Sequence, residues 1–229
     1  MMKKNTQEQR YLMSNTIQAV IWDLDGVIID SANEHRQAWQ RLAREEGINF
    51  TDADFWATFG KRNDAIIAEI WGPLPPQQVQ ALANRKEAYF RELIRKSAAP
   101  LPGAMELMHG LHEAGFSQAL ASSTPIENIE LISKVLGLDR YLTVLVSGET
   151  VPHGKPAPDI FLKAAKELNI APVHCLVIED AVAGVEAAHA AGMRCIAVAG
   201  NRDLPGLRKA ELMVKTLTEV DVERVRNLA

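Results

Sequence analysis

Two aspartates interrupt an apolar stretch near the start of the chain, "VIWDLDGVIID" at residues 20–30. A parallel strand buried on both faces is normally a continuous run of Val, Ile and Leu, and an unpaired buried charge is costly. Asp23 falls where such a strand would end, Asp25 shares its side if the chain stays extended, and Gly26 permits a sharp turn. The pattern predicts that both carboxylates project from a strand end into a crevice. The ordinary alternative is one turn cap and one exposed acid.

Three further apolar runs also end in side chains that could do chemistry. They are Ser122 and Ser123 after "ALA", Lys155 in the loop "HGKPAPD" after "VLVS", and Glu179 and Asp180 at the end of "LVIED". Each has an ordinary alternative: a serine common at strand ends, a solvated loop lysine, or an aspartate that caps the next helix. Because the carboxyl ends of parallel strands meet at one edge of a sheet, we expect all of these side chains around one crevice.

This set of side chains suits phosphoryl transfer through an aspartyl-phosphate. Asp23 can attack phosphorus as a covalent nucleophile, and Asp25 is placed to act as general acid and base. Oxygen ligands without nitrogen or sulfur favour Mg²⁺, which with Lys155 would offset charge on the reacting oxygens. Ser122 would donate a hydrogen bond to a phosphoryl oxygen.

The elements that must position these residues are short and regularly spaced. Six apolar runs have the length and the flanking residues of buried strands, at residues 18–22, 117–122, 141–147, 175–179, 194–199 and, more weakly, 212–215. Helical patterns separate them, at residues 103–115, 126–138, 158–170 and 181–193. This alternation predicts an α/β fold with a Rossmann-like three-layer core around a mostly parallel sheet.

One segment, residues 32–98, contains helical patterns and no strand candidate. It predicts a small all-helical cap domain, inserted into a catalytic core formed by residues 16–31 and 99–229. Its position directly after the first strand places it over the carboxyl edge of the sheet. Residues 1–15 lack the apolar core of a signal peptide, and we interpret them as a disordered extension, either vector-derived or upstream of a start at Met13.

The amino-acid composition argues against several kinds of partner and of cellular location. The 229 residues are 47% hydrophobic and 24% charged, with a net charge of −4 and no block of like charges, which argues against a nucleic-acid partner. No apolar run approaches the roughly 20 residues that span a membrane. Cys175 and Cys195 lie in apolar runs without CxxC spacing, so we expect buried free thiols in a cytoplasmic protein. Nothing in the sequence requires more than a monomer.

Four motifs, taken together, resemble those of the haloacid dehalogenase superfamily: "DLDGV" (23–27), "LASS" (120–123), "GKPAPD" (154–159) and "IEDAVAG" (178–184). The resemblance runs from about residue 16 onward, and the insertion after the first motif is similar to the helical cap of the β-phosphoglucomutase-like subgroup. It implies that Asp23 is the nucleophile and Asp25 the acid and base. It also implies that Asp23, the Asp25 carbonyl and Asp180 hold Mg²⁺, with Glu179 assisting directly or through water.

The second aspartate of the first motif separates reactions within the superfamily. Dehalogenases lack it, because a halide leaving group needs no proton, and phosphonatases replace it. Asp25 therefore favours hydrolysis of a phosphate ester or intramolecular phosphoryl transfer.

The start of the insertion contributes a candidate histidine. Ser31 and Glu34 have capping-box spacing, which predicts a helix start. His35, Trp39 and Leu42 then fall on one helix face, so the histidine points inward with the apolar stripe. A core histidine is the simpler interpretation of the residues alone. The resemblance instead implies a role in coupling cap closure to proton transfer.

The resemblance implies two further cap contacts with substrate. Lys86 in "ANRKEAY" matches a cap lysine that contacts substrate. The stretch "GKRND" (60–64) is similar to a substrate-recognition loop but about one residue shorter, and Arg62 is the candidate for an anionic contact, with Lys61 second. A solvated loop is the alternative for this stretch.

A departure from the subgroup's pattern separates hydrolase from mutase. The β-phosphoglucomutases carry a lysine–asparagine pair for the non-reacting phosphate where this chain has Pro125 and Ile126, although Asn128 could replace the asparagine. We therefore expect a Mg²⁺-dependent phosphatase for a small phosphorylated metabolite of the sugar phosphate type, with Ser123 and Asn128 as substrate-binding candidates. A mutase is the alternative, and a catalytically silent module is disfavoured because every matched catalytic position holds a competent residue.

Overall fold

The computed structural model describes residues 16–202 and 204–228, so the extension predicted for residues 1–15 lies outside the described residues. Six strands form one sheet in the order β3-β2-β1-β4-β5-β6, and each neighbouring pair is parallel. The strands are β1 (Ala19–Trp22), β2 (Ser117–Ser122), β3 (Val144–Ser147), β4 (Cys175–Glu179), β5 (Arg194–Val198) and β6 (Leu212–Val214). Each predicted strand is present, and the predicted Rossmann-like α/β architecture is confirmed.

The described helices fall into two groups. Four lie in the inserted segment that was predicted to be helical: α1 (Ala32–Glu45), α2 (Asp52–Thr58), α3 (Asn63–Trp71) and α4 (Pro76–Ser97). The others alternate with the later strands: α5 (Ala104–Glu113), α6 (Ile126–Leu136), α7 (Asp159–Leu168), α8 (Val182–Ala190) and α9 (Val222–Arg226). The four inserted helices match the expected cap, and the proposed domain boundaries stay a prediction.

The sheet separates two apolar layers because side chains alternate along each strand. Val20 and Trp22 of β1 face a cluster with residues of α5, α6 and α9, whereas Ile21 faces a second cluster with residues of α7 and α8. Both faces are thus covered by helices, which explains why the strands are apolar throughout. Cys175 and Cys195 are buried free thiols in the second layer, as predicted.

The inserted helices have an apolar core of their own. Trp39 and Leu42 of α1 pack with Phe55 of α2, Ile67 of α3 and Leu82 of α4. A separate core of this kind is typical of a small domain that can move relative to its neighbour. No described helix is both long enough and apolar enough to cross a bilayer.

Helix α1 begins where predicted, but the prediction of a capping box is wrong. Ser31 occupies the N-cap without a side-chain hydrogen bond to the helix backbone. Its hydroxyl instead donates to the Asp25 carboxylate, and Glu34 accepts from Ser97 Oγ at 2.6 Å. The Ser31 hydroxyl, which could have capped the helix, binds the partly buried Asp25 carboxylate instead, because partial desolvation of a carboxylate makes a hydrogen-bond donor more valuable there.

Candidate active site

A cavity of about 470 Å³ lies between the carboxyl edge of the sheet and the inserted helices. Strands β2 and β3 lie on one side of β1, whereas β4, β5 and β6 lie on the other. The chain thus changes sides between β1 and β4, and open α/β sheets bind ligands at such a switch point. Ten predicted site residues or their named alternates line the cavity: Asp23, Asp25, His35, Lys61, Lys86, Ser122, Ser123, Lys155, Glu179 and Asp180. The predicted residues Arg62 and Asn128 are not among its lining residues.

Lys155 joins two of the carboxylates at the centre of this edge. Its Nζ lies 2.6 Å from Asp23 Oδ1 and 2.5 Å from Glu179 Oε1, and all three side chains are buried. Burial lowers the pKa of Lys155, but the charges of Asp23 and Glu179 outweigh it and raise the pKa above its ordinary value. The lysine is therefore a fixed cation beside the atom that would attack phosphorus.

Asp23 follows β1 directly, and its backbone N–H continues the ladder to the Ile178 carbonyl at 2.9 Å. Burial raises the pKa of Asp23 well above its ordinary value, and the charges of Glu179, Asp180 and Asp25 raise it further, against the lowering effect of Lys155. The carboxylates at this edge of the sheet thus carry more negative charge than the single positive charge of Lys155 neutralises. A further cation at this edge would favour the ionised nucleophile.

Asp25 lies in the turn that follows, and Leu24 between the two aspartates is buried in the core. Burial raises the pKa of Asp25, but the neighbouring His35 and the hydrogen bond from Ser31 lower it overall. This arrangement holds Asp25 as a carboxylate, which is the form that deprotonates water. A proton must reach it before it can act as an acid.

His35 connects Asp25 to the inserted helices. Its Nδ1 lies 2.7 Å from Lys86 Nζ and its Nε2 lies 3.6 Å from Asp25 Oδ1, while the ring stacks on Phe90 at 3.9 Å. An ammonium group can only donate, so Nδ1 accepts from Lys86 and the imidazole proton is on Nε2, which faces Asp25. Because His35 lies on α1, it links Asp25 of the core to the cap.

Lys86 belongs to a buried polar network that continues to the core. Its Nζ lies 2.7 Å from Glu87 Oε1, which also accepts from Asn63 Nδ2 at 2.8 Å. The second oxygen of Glu87 accepts from Asn128 Nδ2 at 2.5 Å, and Asn128 Oδ1 accepts from Arg91 at 2.9 Å. Asn128 therefore contacts the cap network in this structure, and its predicted role in binding substrate stays untested.

The two cationic candidates of the predicted recognition loop differ in position. Lys61 lines the cavity, with its Nζ 2.6 Å from Glu69 Oε2. Arg62 lies 3.4 Å from Asp64, and its side chain is the nearest neighbour that a Cβ at Gly154 would meet. Arg62 thus packs beside the loop that carries Lys155, so Lys61 is the better placed of the two for a ligand in this cavity.

Ser122 ends β2 and is buried. Its Oγ accepts a hydrogen bond from the Thr124 backbone N–H at 3.2 Å. That bond uses a lone pair of the oxygen, and the hydroxyl proton can still be donated to a phosphoryl oxygen. Ser123 follows in the cavity lining.

The residues expected to hold Mg²⁺ supply oxygen donors only, and Asp23 and Asp180 line the same cavity. No group of three or more His, Cys, Asp or Glu side chains within the described ranges is arranged to hold a metal ion. The expected ligands are the carboxylates of Asp23 and Asp180 and the Asp25 carbonyl, with Glu179 assisting directly or through water, and Mg²⁺ usually keeps several waters. Both oxygens of Glu179 contact protein donors, Lys155 and the backbone N–H groups of Asp180 and Ala181.

Asp180 does not cap helix α8, whose N-cap is Ala181 without a side-chain bond. Burial and the charge of Glu179 together raise the pKa of Asp180 to about 7, against the lowering effect of Arg202. Arg202 binds Asp180 Oδ2 at 2.9 Å, so a cation at Oδ1 could coexist with this contact. The donor chemistry and the surplus of negative charge fit a divalent ion.

Gly26 leaves the space that Asp180 fills. Its φ is +79°, and a Cβ there would overlap the Asp180 carboxylate. We expect Gly26→Ala to cost about 1–3 kcal/mol of stability from backbone strain. Displacement of Asp180 should in addition lower kcat/KM by roughly 100-fold.

Thermal unfolding and turnover of the best phosphate ester measure the two effects of Gly26→Ala. Gly115→Ala is the matched control, because Gly115 has φ +83° with open space around its Cβ position and lies outside the cavity lining. It should lose similar stability and keep its activity. Equal activity of the two variants would contradict a role for the Gly26–Asp180 contact.

Four residues with evident roles at the site were absent from the sequence-based candidates. Ser31 was assigned to the helix cap, and Asn63 and Glu87 contact their partners across long sequence separations. Arg202 follows β5, and the rule that strand ends meet at one edge would have found it.

Aromatic side chains form much of the cap side of the cavity. Trp39, Phe55, Trp56 and Phe59 line it, and Trp56 is 59% exposed although its neighbour Phe55 is buried. Phe55 belongs to the cap core, Phe59 packs against that core and also lines the cavity, and Trp56 lines the cavity.

Comparisons with known proteins agree with this architecture. A family model described as haloacid dehalogenase-like hydrolase matches residues 17–192. Validoxylamine A 7'-phosphate phosphatase of Streptomyces hygroscopicus subsp. limoneus is 32% identical over 200 residues, which cover 87% of this chain and 94% of that protein. β-Phosphoglucomutase of Bacillus subtilis (strain 168) is 34% identical over 220 residues, covering 90% and 93%.

A solved structure gives the same relationship in three dimensions. The crystal structure of β-phosphoglucomutase from Clostridium difficile matches with a TM-score of 0.83 at 28% identity, covering 93% of this chain and 96% of that one. The fold, the relatives and the family match agree along most of the chain, and they confirm the resemblance found in the four motifs. The chain belongs to the haloacid dehalogenase-like hydrolase family.

Proposed function

We propose that this protein is a Mg²⁺-dependent phosphatase that hydrolyses a small phosphorylated metabolite of the sugar phosphate type through an aspartyl-phosphate. One observation carries the proposal: Asp23, Asp25, Ser122, Lys155 and Asp180 line a single cavity of about 470 Å³ at the carboxyl edge of the sheet. That size is ordinary for a small-molecule site. Relatives that include a phosphatase and a mutase of phosphorylated compounds support the reaction class.

In the first half-reaction, a carboxylate oxygen of Asp23 attacks phosphorus and the bond to the ester oxygen breaks. Asp25 delivers its proton to the departing alkoxide. Lys155 and the Ser122 hydroxyl bind the phosphoryl oxygens and the nucleophile, so that charge is stabilised as it moves. Mg²⁺, when bound by Asp23, Asp180 and the Asp25 carbonyl, supplies positive charge to the phosphoryl group.

In the second half-reaction, Asp25 removes a proton from water, which attacks the aspartyl-phosphate and releases inorganic phosphate. The Asp23 carboxylate is regenerated. Because Asp25 is held as a carboxylate by Ser31 and His35 in the absence of substrate, the structure corresponds to the form that begins this step. Because His35 lies on the cap helix α1, its contact with Asp25 makes that proton chemistry dependent on the position of the cap.

A mutase of the β-phosphoglucomutase type is the second candidate, favoured by the Bacillus subtilis relative. A mutase would need side chains that bind the non-reacting phosphate of a bisphosphate intermediate in each of its two orientations. Pro125 and Ile126 offer no charge where the mutases have a lysine–asparagine pair, and Asn128 is bonded to Glu87 and Arg91. These features support the hydrolase.

A panel of phosphorylated metabolites, assayed for phosphate release with Mg²⁺ and with EDTA, tests the proposal. We expect sugar or polyol monophosphates among the best substrates and at least about a 100-fold loss of rate in EDTA, because several carboxylates then repel the substrate without a compensating ion. Restoration by added Mg²⁺ controls for unfolding. Activity that persists in EDTA would contradict the metal requirement.

The same protein should be incubated with β-glucose 1-phosphate and a trace of glucose 1,6-bisphosphate. We expect phosphate release without accumulation of glucose 6-phosphate. Accumulation of glucose 6-phosphate would establish the mutase, and no turnover of any ester would favour the silent module.

A further inference from the structure

The cap side of the cavity carries a small polar cluster among aromatic residues. Asn63, Lys86 and Glu87, here called the cap cluster, line the cavity opposite the motif residues of the core. In a largely apolar pocket, a few polar groups fix the orientation and the identity of a ligand. The cap cluster is therefore where the part of the substrate that does not react would be recognised.

The charge of Lys86 is balanced within the cap cluster. The side chain is 2% exposed, and its Nζ lies 2.7 Å from Glu87 Oε1 and 2.7 Å from His35 Nδ1. An ammonium group buried to this degree requires a paired carboxylate. Lys86 thus reaches the cavity as one half of a neutral pair.

Glu87 retains its negative charge. Its two oxygens accept from Lys86, from Asn63 at 2.8 Å and from Asn128 at 2.5 Å. Burial raises its pKa, but Lys86, His35 and these hydrogen bonds lower it to about 2. Any group that approaches the cap cluster therefore meets an ionised carboxylate.

The other cations of the cavity are paired in the same way. Among the described lining residues, Lys61 contacts Glu69, Lys155 contacts Asp23 and Glu179, and Arg202 contacts Asp180. Arg91, the cation adjoining Asn128, is not among the lining residues. The cap side of the cavity therefore offers no described cation without a carboxylate partner.

This distribution of charge separates two kinds of substrate. A second phosphate or a carboxylate on the substrate would be desolvated beside Glu87 with no surplus positive charge to compensate, which is unfavourable. Hydroxyl groups fit better. A carboxylate has about four acceptor positions, of which Glu87 uses three, and an ammonium has three donors, of which Lys86 uses two.

We infer that the substrate is a monophosphate whose remaining part is an uncharged polyol, and that Glu87 is the specificity-determining residue that rejects a second anionic group. The inference rests on the proposed function, since it places the reacting phosphate at Asp23. It goes further in naming the chemistry of the leaving group and the residue that selects it.

Calorimetric binding tests this inference with two probes, glucose 6-phosphate and glucose 1,6-bisphosphate, in Mg²⁺ and with Asp23→Asn present to prevent turnover. We expect the monophosphate to bind at least about tenfold more tightly. Adding Glu87→Gln should shift the ratio of the two affinities by about tenfold or more toward the bisphosphate. A loss of structure would weaken both probes together, so the ratio isolates the charge.

Glu87→Gln leaves Lys86 without its carboxylate partner, and that loss can impair folding. A second variant therefore keeps Glu87 and changes the charge beside it from another helix, α3. Asn63→Lys places a cation beside an intact Glu87 and should shift the ratio in the same direction. Glu92→Gln is the matched control, because it removes one charge from the same helix at an exposed residue outside the cavity lining. Its ratio should equal that of the Asp23→Asn parent.

Three results would overturn the inference: a parent that binds the bisphosphate as tightly as the monophosphate, an unchanged ratio in both Glu87→Gln and Asn63→Lys, or no binding of either probe. Phosphate release by the wild-type protein reports on the proposed function separately. A protein that hydrolyses phosphate esters but prefers bisphosphates refutes the inference alone. A discriminating protein that hydrolyses no ester refutes the proposed function alone.

Discussion

Replacing the nucleophile, Asp23→Asn, is expected to reduce kcat for the best phosphate ester by about 10⁴-fold or more. An amide has the shape of the carboxylate but cannot form the phosphoryl-enzyme. The loss should appear equally for every substrate in the panel, because all of them pass through the same intermediate.

The folded protein should tolerate this change. Burial and the neighbouring carboxylates already raise the pKa of Asp23, so a neutral side chain removes a repulsion, and Lys155 keeps Glu179 as its partner. We therefore expect the Tm of the variant within a few degrees of the parent. Asp139→Asn, an exposed aspartate in a turn, controls for the chemistry of the substitution.

Mass spectrometry of protein quenched in acid after exposure to a small phosphodonor should detect one phosphoryl group on the wild-type protein and none on Asp23→Asn. Beryllium fluoride, which imitates the aspartyl-phosphate, should bind the first protein only. An Asp23→Asn protein that turned over its best ester at the parental rate would remove the basis of the proposed mechanism.

The elements of the core could be predicted because their signals are local. Each strand is a short apolar run flanked by turn formers or charges, and the parallel order follows from the helices between them. Strand β3 begins later than its apolar run, since Leu138–Arg140 forms a 3₁₀ turn and the chain is not yet in the sheet at Tyr141. Apolar character alone cannot show where the ladder of hydrogen bonds begins.

The gathering of the motif residues at one edge could also be predicted, because the topology of a parallel sheet requires it. What could not be predicted is the partner of each side chain on the cap. Lys86 contacts His35 across 51 residues, and Glu87 contacts Asn128 across 41. The first pair depends on how α4 packs against α1 within the cap, and the second depends on the angle at which the cap meets the core. No pattern along the chain encodes either arrangement.

Ser31 shows how a local pattern can indicate the wrong partner. Its spacing to Glu34 matches a capping box, and helix α1 does begin there. Asp25 is six residues earlier and partly buried, and the hydroxyl binds that carboxylate instead. Because the competing acceptor is itself a candidate catalytic group, the failure of the local rule occurs at the site where function was expected.

Replacing the acid and base, Asp25→Asn, should have effects that depend on the leaving group. An alkoxide needs a proton as it departs, so we expect turnover of sugar phosphates to fall by about 10³-fold. The departure of p-nitrophenolate needs no proton, so phosphorylation of Asp23 by p-nitrophenyl phosphate should stay fast. Hydrolysis of the aspartyl-phosphate still needs a base and should become slow.

Rapid mixing of Asp25→Asn with p-nitrophenyl phosphate should therefore give a burst of p-nitrophenolate equal to the enzyme concentration, followed by slow turnover, because the phosphoryl-enzyme accumulates. Asp30→Asn is the matched control, since Asp30 is exposed at the end of the same loop, lies outside the lining of the active-site cavity and accepts a hydrogen bond from the Ala32 backbone N–H at 3.3 Å. It should show parental rates for both classes of ester. Equal losses for alkyl and aryl esters in Asp25→Asn, without a burst, would mean that Asp25 holds the site together but transfers no proton, and its contacts with Ser31 and His35 would then be structural.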